Sequence, residues 1–222
     1  MKKLLFWIVL IVGTVALLGS CAKKDEESAA TAAADNTTST TSTTKYMSTT
    51  TTASGSITMG DDTLSGVYAT SCLTGSLITI FVNANVWPSE VKAYGNVFVV
   101  TGSDNISIEL YAFTDTSCST SSMSYKTVSD NVTVGSASGS NYPVTYNNQT
   151  KALTVHTTAA ETTLETLYSN ALDFIVGTPI ELPVSGSGLR YGLWTLSGTT
   201  WYEASSSSAT PTSAGTVPYV KQ

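Results

Sequence analysis

The sequence predicts an all-β fold for residues 57–222, an antiparallel barrel or a sandwich. Short segments rich in β-branched and aromatic residues recur along this part of the chain, each bounded by Gly, Asn, Asp or Ser. Only one segment has the spacing of a helix. Regularly spaced short strands with turn signals between them are typical of β-barrels and β-sandwiches. One folded domain is expected for this length.

Ten segments are predicted as strands. They are residues 65–70, 77–83, 96–101, 106–114, 124–134, 142–146, 152–157, 189–196, 200–203 and 216–220. The clearest is 106–114, where two sets of side chains alternate. Ile106, Ile108, Leu110 and Ala112 share one face, and Ser107, Glu109, Tyr111 and Phe113 share the other. A period of two over this length predicts a half-buried strand.

One short helix is predicted over residues 159–172. Thr158 and Glu161 have the spacing of a capping box, in which each side chain satisfies a backbone N–H group of the other residue. Apolar residues then recur at helical spacing, namely Leu164, Leu167, Tyr168 and Leu172. We expect an amphipathic helix that packs on the sheet and closes one end of it.

Residues 1–20 have the layout of a secretory signal peptide. Two lysines precede an apolar run over residues 4–18, which is shorter than the roughly 20 residues that a membrane-spanning helix needs. The run leads through Leu-Gly-Ser to Cys21, and this stretch resembles the lipobox of bacterial lipoproteins. An ordinary secretory signal and an uncleaved N-terminal anchor are the alternatives.

The lipobox resemblance implies cleavage before Cys21 and attachment of a diacylglycerol and an N-acyl chain, such as palmitate, to that cysteine. Two or more acyl chains give stable membrane anchoring without a spanning segment. Ala22 follows the cysteine where the inner-membrane retention signal has Asp, which favours the outer membrane. The charged run over residues 23–27 resembles a surface-export signal, so the periplasmic side and the cell surface both stay open.

Residues 21–56 are predicted to form a disordered tether. The segment is charged at its start and then rich in Ala, Ser and Thr, so it cannot bury enough apolar surface to offset its ordering entropy. Loss of Lys2 and Lys3 with the leader reduces the 10 basic residues of the chain to 8, against 16 acidic ones. This acidic balance argues against nucleic acid as a partner and against a polybasic membrane patch.

Cys72 and Cys118 remain after Cys21 is assigned to lipidation. An even pair in an oxidising envelope compartment most simply forms a disulfide. A redox-active pair is the alternative, although the spacing is not Cys-x-x-Cys.

Three stretches of the chain resemble lipocalin-like bacterial lipoproteins. They are Leu64-Ser65-Gly66-Val67-Tyr68 followed by Cys72, Tyr111-Ala112-Phe113-Thr114-Asp115-Thr116-Ser117-Cys118, and Pro218-Tyr219-Val220-Lys221. The resemblance implies an up-and-down barrel with one late helix and a central cavity or a filled core, and a β-sandwich is the alternative. Its inward-facing residues would include Tyr68, Phe81, Val99 and Leu110. Trp87, Trp194 and Trp201 are expected either in the core or as exposed anchors.

No catalytic or metal site is predicted. His156 is the only histidine, and no motif supplies it with a nucleophile and an orienting partner. One imidazole excludes a histidine-rich metal site, which leaves an all-oxygen calcium site at residues 61–62 or 104–105, where the acidic residues also suit a turn. No cofactor is expected, because no glycine-rich phosphate loop follows a strand and opens a helix.

Several short motifs are attributed to the Ser- and Thr-rich composition. Residues 42–45 fit Ser-x-x-Lys and residues 129–131 fit Ser-Asp-Asn, both known from penicillin-recognising enzymes, but no Lys-Thr-Gly follows. Four Asn-x-Ser/Thr sequons, at Asn36, Asn105, Asn131 and Asn148, have no glycosylation role in a bacterial lipoprotein.

The sequence therefore predicts a non-enzymatic envelope lipoprotein whose barrel is a scaffold for another envelope protein, a polysaccharide or an extracellular surface. The alternative is a carrier of a small hydrophobic ligand. A pocket lined by aromatic residues favours the carrier, whereas a filled interior with an exposed apolar patch favours the scaffold. A hydrolase would require His156 to lie in a cleft beside a serine and a carboxylate.

Overall fold

Antiparallel strands close into a barrel in the computed structural model, which describes residues 45–184 and 186–222. The strands are β1 (Ile57–Met59), β2 (Asp62–Leu64), β3 (Val67–Ala69), β4 (Ala93–Val100), β5 (Ile106–Phe113), β6 (Ser121–Val134), β7 (Asn141–Val155), β8 (Pro179–Leu182), β9 (Leu189–Ser197), β10 (Thr200–Ser206) and β11 (Tyr219–Lys221). Eight of them, β3 to β7 and β9 to β11, pair in chain order, and β11 returns to pair with β3. The predicted up-and-down barrel is confirmed.

Two helices cover one end of the barrel, α1 (Ser76–Asn83) and α2 (Thr158–Leu167). Their buried faces pack with the ends of β5, β6 and β7 in one apolar cluster. We call this the helical end. The β1–β2 hairpin packs its apolar side chains over the opposite end, which we call the hairpin end. Neither described helix is long and apolar enough to cross a bilayer.

The strand predicted over residues 77–83 is wrong, because this segment is helix α1. Its Ile and Val residues favour a strand, but it packs over the end of the barrel in the apolar cluster that also contains residues of β5, β6 and β7. Ile78 and Phe81, three residues apart, are buried there as a helix face requires. Gly75 precedes the helix with φ +128°, which a glycine adopts more readily than other residues.

Helix α2 begins at Thr158, one residue before the predicted start, and ends at Leu167 rather than residue 172. Its N-cap is Thr157, not Thr158, and the Thr157 hydroxyl accepts a hydrogen bond from the Ala160 N–H at 3.1 Å. The chain after the helix continues as an apolar loop, in which Phe174 is fully buried against Tyr168.

The polar run between the two strands predicted at residues 142–146 and 152–157 does not form a loop. Both segments belong to one long strand, β7, whose first half pairs with β9 and whose second half pairs with β8. Strand β6 pairs along both halves, with bulges that bend the ladder. The polar residues therefore continue the strand because β6 pairs along one edge, while β9 and β8 pair with the two ends of the run on the other edge.

The predicted tether over residues 21–56 is too long, because its last part is folded. Residues 45–54, which we call the strap, run along the outside of the barrel from the helical end to the hairpin end. The Met47 N–H donates to the Thr70 carbonyl at 3.1 Å, and the Ser54 N–H donates to the Val100 carbonyl at 3.0 Å. Residues 21–44 of the predicted tether and the predicted leader lie outside the described residues.

The strap has its own apolar contacts on the outer face of β4. Met47 is 5% exposed and packs with Ala93 and Val97. A Cβ atom at position 95 would overlap the Met47 side chain, so Gly95 makes room for the strap. The sequence pattern did not predict this contact, since one buried methionine among polar residues carries no periodic signal.

A buried carboxylate completes the strap interface. Thr51 and Tyr111 donate hydrogen bonds to Glu109, and the Lys126 ammonium lies 3.7 Å from its Oε1 atom. Burial would raise the pKa of Glu109, but these hydrogen bonds, one from Thr49 and the Lys126 charge outweigh burial and lower it. Glu109 is thus ionised while covered by the strap.

Cys72 and Cys118 lie at disulfide distance, with Sγ atoms 2.05 Å and Cα atoms 5.8 Å apart. They join the segment after β3 to the loop before β6, close to the start of the strap, where the Lys45 ammonium donates to the Cys118 carbonyl at 2.8 Å. On the chain-entropy model, closing a loop of 46 residues stabilises the fold by about 4 kcal/mol.

Replacement of Met47 by Ala should lower the free energy of unfolding by about 2–3 kcal/mol, because the strap loses its buried anchor. Urea denaturation of the chain without the predicted leader, with Cys21→Ser to prevent the predicted lipidation, measures this loss. Ser48→Ala, at an exposed strap position, is the control and should change stability by less than about 0.5 kcal/mol. Equal effects of the two substitutions would contradict a folded strap.

Candidate functional site

A pocket with a volume of about 120 Å³ lies at the helical end, between the barrel mouth and the two helices. The residues that line it are Val86, Trp87, Leu110, Met123, Tyr125, Lys151, Leu153, Leu164, Leu167, Tyr168, Leu182 and Pro183. Most are apolar or aromatic, which is the usual lining of a small-molecule site. Strands supply one wall, and α2 with the segments around it supplies the other.

The strand wall comes from alternate positions of three neighbouring strands. Leu110 of β5 pairs with Tyr125 of β6, and Tyr125 pairs with Leu153 of β7. Residues directly opposite in adjacent strands point to the same side of a sheet. These three side chains therefore form one row across the inner surface, with Met123 above it.

The helix wall depends on packing around Trp87. Its ring centroid lies 4.8 Å from that of Phe81 on α1 and 5.6 Å from that of Tyr94 on β4. From α2, Leu164 and Leu167 are placed three residues apart, and so they share one helix face. The aromatic contacts hold α1 against the barrel. The face of α2 that carries Leu164 and Leu167 is directed at the pocket.

Lys151 is the one charged residue among those that line the pocket. It lies on β7 opposite Thr127, one inward position deeper in the barrel than Leu153, and is 7% exposed. Desolvation and the neighbouring charge of Arg190 lower the pKa of Lys151. Within the described part of the chain, the only ion pair is Lys126–Glu109, so Lys151 has no carboxylate partner there.

A polar layer lies below the pocket, in the middle of the barrel. Arg190 is opposite Tyr146 in the β7–β9 ladder, and both are buried. Glu203 also belongs to this layer: its Oε2 atom is shielded from solvent and lacks a hydrogen-bond partner, although the residue as a whole is half-buried. Burial raises the pKa of Glu203 to about 7, against the opposing charge of Arg190.

Below the polar layer, the barrel is filled by aromatic side chains. The ring centroids of Phe98 and Trp201 are 4.1 Å apart, and those of Trp194 and Trp201 are 5.6 Å apart. Met59 and Leu64 of the β1–β2 hairpin close this half. Both indole N–H groups lack hydrogen-bond partners, so these rings contribute through packing alone. The barrel is solid at the hairpin end and hollow at the helical end.

Three of the four residues predicted to face inward contact the barrel interior or the cluster that covers it. Tyr68 packs in the filled half, Leu110 lines the pocket, and Phe81 reaches the helical-end cluster from α1 rather than from a strand. Val99 is the exception, because it is buried on the outer surface beneath the strap. Trp194 and Trp201 are core residues, and Trp87 lines the pocket.

His156 does lie beside a serine, since its Nε2 atom is 3.0 Å from the Ser124 hydroxyl. The pair is on the outer surface, because Ser124 alternates with the inward-facing Met123 and Tyr125. The nearby carboxylate of Glu90 accepts hydrogen bonds from Ser122 and Thr157 instead. No described carboxylate is hydrogen-bonded to His156, so the geometry lacks the orienting group of a catalytic triad.

The other predicted candidates occupy turns and bulges. Asp61 and Asp62 lie at the β1–β2 turn, and no three His, Cys, Asp or Glu residues in the described part of the chain are grouped as metal ligands. Ser129 donates to the Asn148 amide oxygen at 2.9 Å, and Asn131 forms a β6 bulge with φ +54°. Ser42 and Asn36 lie outside the described residues.

Sequence reasoning did not single out Lys151, Arg190 or Glu203. Each is a polar residue at an inward position of a strand whose next inward neighbour is apolar: Leu153, Gly192 and Trp201, respectively. A charge that interrupts an inward-facing apolar row is the signal for such residues. This interruption can be recognised in the sequence only when the strand boundaries and bulges are known.

No protein-family model matches the chain. A comparison with curated proteins finds no matching relative either.

Glu203 should make the stability of the protein depend on pH. The folded state binds the proton of the Glu203 carboxyl group more tightly than the unfolded state does. The stabilisation from this proton is complete below about pH 4.5 and is lost as the pH rises through about 7. Between pH 5 and 8, the free energy of unfolding should fall by about 2–3 kcal/mol more in the wild type than in Glu203→Gln.

Urea denaturation at several pH values measures this difference. The variant keeps His156, whose pKa is lowered by burial, so subtraction of the two profiles isolates Glu203. Parallel profiles for the two proteins would show that Glu203 titrates normally in the folded state.

Proposed function

We propose that this protein is an envelope-anchored, non-enzymatic lipoprotein whose barrel binds a small apolar ligand at its helical end. The observation that carries the proposal is the apolar pocket formed by the strand row and α2. Natural cores are packed without voids of this size except at a few places. A polar layer and a solid aromatic half bound the pocket from below, so a ligand would enter at the helical end.

The pocket volume limits the size of the buried group. An engineered apolar cavity of about 150 Å³ in another protein binds benzene, so about 120 Å³ suits one six-membered ring or a chain of five or six carbons. At about 0.8 kcal/mol per buried methylene, six carbons contribute about 5 kcal/mol. That value corresponds to a Kd of roughly 0.1–1 mM for an uncharged ligand.

The course of the strap relates the pocket to the proposed anchor. Lys45, at the start of the strap, lies beside Cys118 at the helical end. The 23 residues between Cys21 and Lys45 would span roughly 25 Å as a flexible chain. An acyl anchor on Cys21 would thus hold the pocket end, rather than the hairpin end, nearer the membrane. Outer-membrane attachment, on the periplasmic side or at the cell surface, is part of this proposal.

A scaffold for an envelope protein or a polysaccharide is the second candidate function. Three large apolar residues in the described chain are exposed: Ile80 on α1, and Ile175 and Val176 in the loop after α2. All three belong to segments at the helical end. Exposed apolar side chains grouped at one end favour a partner surface, and the solid half of the barrel gives that surface a rigid base.

Leu167→Trp should abolish binding of hexan-1-ol, because the indole would fill the pocket from α2. NMR titration of the chain that follows the leader, with Cys21→Ser, measures binding through the methyl signals of Leu153 and Leu164. The matched control is Thr162→Trp, an exposed position on the same helix, which should bind hexan-1-ol as the wild type does. Shifts that persist in Leu167→Trp, or no shifts in the wild type, would contradict the carrier proposal.

Cys21→Ser in the full chain should move the protein from the membrane fraction to the soluble envelope fraction of a bacterial host. The acyl chains provide the membrane affinity in this proposal, and serine cannot carry the thioether-linked diacylglycerol. Fractionation and intact-mass measurement test it, with the wild-type chain expected to carry the mass of the acyl groups. A wild-type protein that is soluble and unmodified would contradict the anchor.

A further inference from the structure

We infer that the pocket selects a monoanionic ligand, a short-chain or single-ring carboxylic acid whose carboxylate is bound by Lys151 with Arg190 behind it. The inference rests on the proposed function and narrows it to a ligand class. The carboxylate would point into the barrel, and the apolar part would lie between the strand row and α2.

The first support is the position of Lys151 at the base of an otherwise apolar pocket. Along β7, the inward residues run from Val155 at the helical end through Leu153 to Lys151 and then to the polar layer. A ligand that fills the apolar space above Leu153 therefore has its inner end at the lysine. This order places the Lys151 ammonium group where the head group of the ligand would lie. Only apolar and tyrosine side chains lie along the rest of the ligand.

The second support is the charge balance inside the barrel. Lys151 and Arg190 are both 7% exposed, and the charge of Arg190 acts directly on Lys151. Glu203 on β10 is the acidic group whose charge interacts with Arg190, and its neutral form is favoured by burial. Two cations thus share at most one anion. Buried cations without a partner are strongly disfavoured, and a bound anion would supply the missing negative charge.

The remaining polar groups around this site are phenols and hydroxyls. Tyr146 and Tyr219 border Glu203 and Arg190, and Tyr125 and Thr127 lie on the neighbouring strand. Burial raises the pKa of Tyr125 to about 12, so this phenol stays neutral and able to donate a hydrogen bond to a carboxylate. Acidic side chains on α2 and the loop after it, Glu161, Glu165 and Asp173, do not line the pocket.

Hexanoate and hexan-1-ol are the probes for this inference, since they share one chain and differ in charge. NMR titration of the chain that follows the leader, with Cys21→Ser, should give hexanoate a Kd at least tenfold below that of hexan-1-ol, the effect of one charge-assisted hydrogen bond. The cationic hexan-1-amine should not bind. These three wild-type titrations test the inference even without a folded variant.

Lys151→Met keeps the volume of the side chain and removes its charge, so hexanoate should lose its advantage over hexan-1-ol while hexan-1-ol binding is retained. The matched control is Lys92→Met, at an exposed position outside the pocket, which should keep the preference for hexanoate.

Each other outcome has a definite meaning. Equal affinity of the wild type for hexanoate and hexan-1-ol would overturn the anion inference and leave the apolar carrier standing. A hexanoate preference that survives in Lys151→Met would overturn the assignment to Lys151. Absence of binding by both probes would overturn the carrier proposal itself, and the anion inference with it.

Discussion

Closure of the barrel between β3 and β11 is the constraint on which the rest of the structure depends. These are its shortest strands, and they share only two residue pairs, Val220 with Ala69 and Lys221 with Tyr68. The Gln222 N–H adds a hydrogen bond to the Val67 carbonyl at 2.9 Å. Without this β3–β11 pairing, both strands would have open edges and the barrel interior would be exposed to water. Aromatic contacts behind it compensate for its shortness, since Trp201 packs on both Tyr68 and Tyr219.

The closed barrel encloses two chemically different halves. Large rings fill the hairpin end because Trp194, Trp201 and Phe98 come from opposite walls and meet at the centre. Toward the helical end, a pocket remains between the strand row and α2. The polar layer with Arg190 and Glu203 separates the two halves. The ligand that we propose would therefore occupy the helical end, where the pocket lies.

The sequence predicted the fold class well because antiparallel strands carry a local period-two signal. Strand β5 coincides with its predicted segment to within one residue, and the lipocalin-like resemblance agrees with the eight-stranded closed barrel. Errors arose where tertiary packing overrides local preference. Residues 77–83 are rich in β-branched residues yet helical. Val99, which the resemblance implied to face inward, is buried on the outer face of β4, because the strap covers that face.

The sequence by itself predicted the order of the eight barrel strands, helix α2 and the proximity of Cys72 to Cys118, because these depend on local periodicity, capping residues and cysteine number. It did not predict the short strands β1, β2 and β8 or helix α1. Only the tertiary structure decided that the strap is folded, that the barrel is hollow at one end, and that Lys151, Arg190 and Glu203 meet inside it. Those residues come from three different strands. Their proximity depends on bulges and register, which shift which side chains face inward and leave little trace in the local pattern.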